Sequence, residues 1–106
     1  MKQPDTITIN LFSTTGAFAN NKDTAQHIRE HVLLPALKEG KTVIIDFTNV
    51  NSATQSFIHA LISESIRLYG ANVFDKIIFK RCSEIVTRVI NIVAEYMQRS
   101  EGQQSA

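Results

Sequence analysis

Two apolar runs, "TVIIDF" at Thr42–Phe47 and "KIIFK" at Lys76–Lys80, constrain this chain more than any other feature. Each is too short for a helix and lacks the alternation of a one-sided strand. Such runs read as strands in the middle of a sheet, covered on both faces. A third segment, "TITINLF" at Thr6–Phe12, alternates instead, with Ile7, Ile9 and Leu11 on one face and Thr6, Thr8 and Asn10 on the other. That period marks a half-buried outer strand.

Helix-period segments separate and follow these strands. Between Asn51 and Gly70, the residues Phe57, Ile58, Leu61, Ile62, Ile66 and Tyr69 share one stripe, while Gln55, His59, Ser63 and Arg67 face away. Gly70 supplies the C-terminal stop. A further helix carries Ile85, Val86, Val89, Ile90, Val93, Tyr96 and Met97, with Ser83 placed as its N-cap. It runs into a polar segment, residues 100–106, whose composition predicts a disordered tail to a domain spanning 1–99. The first helix, about Asp23 to Leu37, has Asp23 as a capping residue, and Pro35 should kink or end it. The order strand, helix, strand, helix, strand, helix predicts a small α/β domain with a mainly parallel or mixed sheet. "TTGAFANN", Thr14–Asn21, is its one extended loop, a place where ligands or partners can bind.

Composition narrows the function classes. With 11 basic and 10 acidic residues among 106, the formal charge is +1, too small a field to hold a nucleic-acid backbone or an anionic membrane. Cys82 is the only cysteine, so no intrachain disulfide can form. The N-terminal segment lacks the apolar run of a signal peptide, and no run approaches the ~20 residues of a spanning helix. A cytoplasmic protein is the expectation.

Enzymatic motifs are weak. "HIREH" places His27, Glu30 and His31 in the H-x-x-E-H pattern of one group of zinc peptidases, but no third ligand is in view, and a solvated helix face with Glu30 near Arg29 is the plainer reading. A zinc hydrolase is thus a remote alternative; neither metal nor cofactor is called for. "GAFANNKDT" lacks the second glycine of a P-loop. Cys82 follows Lys80 and Arg81 and precedes a helix start, a setting that lowers a thiol pKa, yet it has no base partner. Asp46, at a strand end, reads as a turn residue bonded to the backbone of "TNVN".

The most distinctive region is "TVIIDFTNVNSATQSFIHALI", Thr42–Ile62. It resembles the signature of STAS domains, the fold of bacterial anti-sigma factor antagonists: an apolar strand ending in Asp or Asn, a hydrophobic four residues on, then D-S-S-G-L opening a helix. Asp46 and Val50 match the first two features, and Thr54, Gln55, Ser56, Phe57 and Ile58 fall on the last five positions. Nearly end to end, the chain also resembles the bacterial STAS-like family of unknown function. There the matching pieces are a Gly-containing loop after the first strand, "IREHVLLPALKEGKTVIIDF" and a serine-phenylalanine helix start like "SFIHAL". Pro35 then becomes a family feature.

The resemblance implies a non-catalytic, partner-switching regulatory module that works with a histidine-kinase-like ATP-binding protein. It also places Ser56 on the serine that such antagonists have phosphorylated. Gln55, Thr54 and Phe57 depart from the serine, acidic residue and glycine of the antagonist pattern. The contact region then comprises Asn51, Ser52, Thr54, Gln55, Ser56 and His59. Capping accounts for part of this polarity: Ser52-Ala53-Thr54-Gln55 fits a capping box with Ser52 as N-cap, or Thr54 caps and Ser56 is the second helical residue. In either register Ser56 lies near the helix start, where free N–H groups and the positive end of the dipole tolerate a phosphate. A constitutive adaptor or subunit that binds an ATPase without phosphorylation is the alternative.

Overall fold

The computed structural model describes residues 5–104. The alternating segment forms β1 (Thr6–Asn10), and a short helical turn, α1 (Phe12–Thr15), follows it. A two-residue strand, β2 (Phe18–Ala19), then leads into α2 (Lys22–Ile28). A π-helical turn, Arg29–Leu33, joins α2 to α3 (Leu34–Lys38). After β3 (Thr42–Asp46) and a second two-residue strand, β4 (Ser52–Ala53), comes the long α4 (Gln55–Tyr69). A 3₁₀ turn, Gly70–Asp75, leads to β5 (Ile77–Lys80) and α5 (Glu84–Gln104).

The main sheet is parallel with order β1-β3-β5, pairing Ile9 with Ile45 and Ile45 with Phe79. A separate parallel pair joins β2 to β4. The fold class is therefore α/β, as the segment order predicts. Because β3 and β5 are added successively in one direction, right-handed crossovers carry α2, α3 and α4 over the same face. On that face Ile9, Val43, Ile45 and Ile77 are buried. Among the described residues nothing covers the opposite face: Thr8 and Ile78 are exposed and Ile44, between them in register, is only half-buried. This corrects the two-sided burial inferred for both apolar runs, and it makes β5 an edge strand. Only β3 is central.

Pro35 neither kinks the helix apart nor ends it. Its ring would collide with the carbonyl four residues back in a regular helix. The π turn instead lets the Leu34 N–H bond the Arg29 carbonyl, five residues back, and the chain continues as helix to Lys38. The cap of this unit is Asn21 rather than Asp23: Asn21 Oδ1 accepts from the Asp23 and Thr24 N–H groups at 2.9 and 3.2 Å. Ser83 caps α5 as its position predicts, Oγ accepting from Val86 N–H at 3.1 Å. That helix extends into the polar C-terminal segment as far as Gln104, while residues 105 and 106 lie outside those described.

The core gathers around α4. Phe57, Ile58, Leu61, Ile62 and Ser65, all on the apolar stripe, are fully buried, and Ser63, against the wheel, is buried with them. Ser63 is covered because α2 and α5 pack against α4 from different sides, which leaves it little solvent face. Tyr69, in contrast, is 44% exposed at the helix end, where Gly70 turns the chain with φ of 73°. Phe57→Ala should cost about 3–5 kcal/mol by urea unfolding. Leu68→Ala, at an exposed position on the same helix, should stay within about 0.5 kcal/mol.

Candidate functional site

In a parallel sheet, the helices start beyond the carboxyl ends of the strands, where ligand sites of α/β folds gather. Here α2, α4 and α5 all begin at that end, and hydrogen bonds tie the loops between them. Asn51 and Thr54 N–H groups bond the Ala17 and Ala19 carbonyls at 2.8 and 3.0 Å, closing the β2–β4 pair. Ser83 Oγ donates to the Asn51 carbonyl at 2.8 Å, joining the start of α5 to the approach to α4. The loop Thr14–Asn21 is therefore pinned at its second half, and a cleft of about 240 Å³ lies beside it, lined in part by Thr15, Phe18 and Asn21.

Asp46 forms the turn that precedes this junction. Its Oδ1 accepts from Thr48 N–H at 2.9 Å and Thr48 Oγ1 at 2.6 Å, as an Asx turn does. Val50 N–H closes the turn on the Phe47 carbonyl, with Asn49 in the left-handed region at φ 69°. The two Thr48 bonds hold the Asp46 carboxyl below its ordinary pKa, helped by Arg81 and Lys80. Asp46 is thus a structural residue of the turn.

Thr54 caps α4. Its Oγ1 accepts from Phe57 N–H at 3.1 Å and its carbonyl from Ile58 N–H at 3.1 Å. Ser52 cannot be the cap, because it is a strand residue paired with Phe18. The capping-box register is therefore set aside, and Ser56 becomes the second helical residue. The N–H groups of Gln55 and Ser56 belong to the first helical turn, which has no intrahelical acceptors for them.

Gln55, Ser56 and His59 are exposed and line a cleft of about 410 Å³ with Lys22 from α2 and Ile92, Val93 and Tyr96 from α5. Lys22 is the charged side chain of its lining, with the His59 imidazole beside it and no carboxylate. Of the six residues assigned to the contact region, these three reach the cleft. Asn51, Ser52 and Thr54 serve the junction and the cap. Lys22, Ile92, Val93 and Tyr96 have no signature near "NSATQSFIHAL". A second apolar stripe on α5, in addition to its core stripe, is the signal that could have pointed to Ile92 and Tyr96.

The other motifs find structural roles. The His27 and His31 rings sit 4.3 Å apart between centroids, but Glu30 turns to Arg29, with 2.9 Å between Oε2 and Nη2. Arg29 Nη1 also donates to the Ala60 carbonyl at 3.1 Å, fastening the π turn to α4. Among the described residues no three His, Cys, Asp or Glu side chains group as a metal site. Cys82 is half-buried, and burial pushes its thiol pKa up, the reverse of the lowering that its basic neighbours suggest.

The parallel three-stranded sheet, with a cleft at its helix starts lined by both polar and apolar side chains, defines a small α/β domain. The model of the STAS-like domain family of unknown function matches residues 24–87, more than half the chain, and the protein belongs to that family. No curated protein and no solved structure matches the chain significantly. No helix among the described residues is long and apolar enough to cross a membrane.

Two measurements separate the roles at this junction. Thr54→Ala should destabilise by about 1 kcal/mol through loss of the cap, while Ser56→Ala should change urea stability by less than about 0.5 kcal/mol. Asp46, whose folded pKa is depressed, stabilises the fold when ionised. That contribution is present above the ordinary carboxylate pKa and is lost as pH falls through the lowered folded value. Asp46→Asn should therefore flatten the acid limb of a stability-against-pH curve and leave its neutral-to-basic shape unchanged.

Proposed function

We propose that this domain is a regulatory protein-interaction module whose docking surface is the cleft at the start of α4, and that phosphorylation of Ser56 controls docking. The observation that carries the reading is the position of Ser56: exposed at the second residue of α4, spared from capping by Thr54, and facing a cleft edged by Lys22 and His59. A phosphate there meets unsatisfied N–H groups, the helix dipole and nearby basic side chains, so the fold can carry it without rearrangement. Any partner seated over Ile92 and Tyr96 would then have to accommodate a charge of about −2 beside its apolar contact.

The family resemblance supports a partner of the histidine-kinase-like ATP-binding class, which would act as both kinase and binding target. Incubation with such a partner and ATP should raise the intact mass by one phosphoryl group in the native chain and not in Ser56→Ala. Ser56→Asp should weaken the complex about tenfold or more, read by titration calorimetry. A complex that forms without phosphoryl transfer, equally with Ser56→Ala, would leave the adaptor reading. Absence of both complex and transfer would sink the proposal.

A further inference from the structure

The last helix is apolar on more of its circumference than the core uses. Val86, Ile90, Val93 and Met97 form the buried stripe. A second stripe, Ile85, Val89, Ile92 and Tyr96, recurs at the same four-three-four spacing, and Ile85, Ile92 and Tyr96 are 56, 44 and 61% exposed. Isolated exposed apolar residues are ordinary; three of four along one seam of a helix are not. Four-three-four spacing is the pattern by which one helix packs along another, knobs into holes.

The flanks of this seam select the occupant. In heptad terms Ile85 and Ile92 take the d positions and Val89 and Tyr96 the a positions. Arg88 and Glu95 then fall on the g flank, both exposed and neither ion-paired among the described residues. The opposite flank is Val86 and Val93, buried in the domain's own core. A parallel partner helix would set Arg88 against Val93 of the other chain, and the charges would find no match. In an antiparallel pair, the same flank meets itself. Ile85 then layers on Tyr96 of the other copy and Val89 on its Ile92, while Arg88 faces Glu95 in the same register, twice about the two-fold axis.

We propose that α5 pairs antiparallel with α5 of a second copy through this seam, making a two-fold homodimer held by apolar layers and two reciprocal Arg88–Glu95 pairs. Ile92 and Tyr96 also wall the cleft beside Ser56, so a second copy seated on the seam closes that cleft. Self-association and partner docking there exclude one another. The dimer itself requires no phosphorylation and stands or falls apart from it.

Sedimentation equilibrium of the full chain across a concentration series tests it, at low and high salt. The native chain should dimerise, more weakly in high salt. Arg88→Glu and Glu95→Arg should each weaken the dimer about tenfold or more, since each turns both attractions into repulsions, and the double exchange should restore it to within a few-fold. Circular dichroism reports whether each variant folds; Tyr96→Gln, also at an exposed position, provides a second route to the same loss. A chain monomeric to about 1 mM overturns the proposal. So does a dimer indifferent to the single exchanges, or one not restored by the double. A monomer that loses an ATP-binding partner on Tyr96→Gln would assign the seam to that partner instead.

Discussion

Everything in this fold hangs on β3 being hydrogen-bonded in parallel on both edges, to β1 and β5. Parallel neighbours cannot be joined by tight turns, so each requires a crossover. Because the strands are added in one direction, the crossovers of uniform hand fall on one face. The consequences are a single helical layer, one open sheet face, and a common end where α2, α4 and α5 begin. The candidate site lies at that end because the topology brings Lys22 and Ser56 there from distant parts of the chain, while α5 passes beside them.

The second determinant is the burial of α4. Packed by the sheet, by α2 and by α5, it keeps solvent contact mainly at its two ends. Its polar first turn is therefore solvent-exposed at Gln55 and Ser56, outside the core. The junction that precedes it is held by the Asp46–Thr48 turn, the β2–β4 pair and the Ser83–Asn51 bond. Those contacts fix the direction of the first turn of α4, which under the proposed function would let a change of charge at Ser56 act on a docked partner and not on the helix that carries it.

Periodicity discloses β1, α4 and α5, because long amphipathic patterns and strict alternation report burial directly. It misleads for β5: Ile78 continues an apolar run, yet no element among the described residues covers it. It also places Ser63 in solvent, since a helical wheel cannot tell that two neighbours approach α4 from different sides. The π turn before Pro35 escapes propensity rules because it conserves helical direction while relieving the ring clash. Strands as short as β2 and β4 exist only through their mutual pairing. The capping choice was undecidable from residue types, as both Ser52 and Thr54 are good caps, and it was decided when strand pairing claimed Ser52.

Taken alone, the sequence determined the α/β class, the family, and the presence of a serine-bearing polar start on the second long helix. These depend on local periodicity and on residues adjacent in the chain. Tertiary structure decided which polar residues at that start are structural and which are free, and it supplied Lys22, Ile92 and Tyr96 as neighbours of Ser56. The reason is that a cleft is a relation between elements far apart in sequence. Such a relation is set by crossover hand and helix packing, which no local pattern encodes.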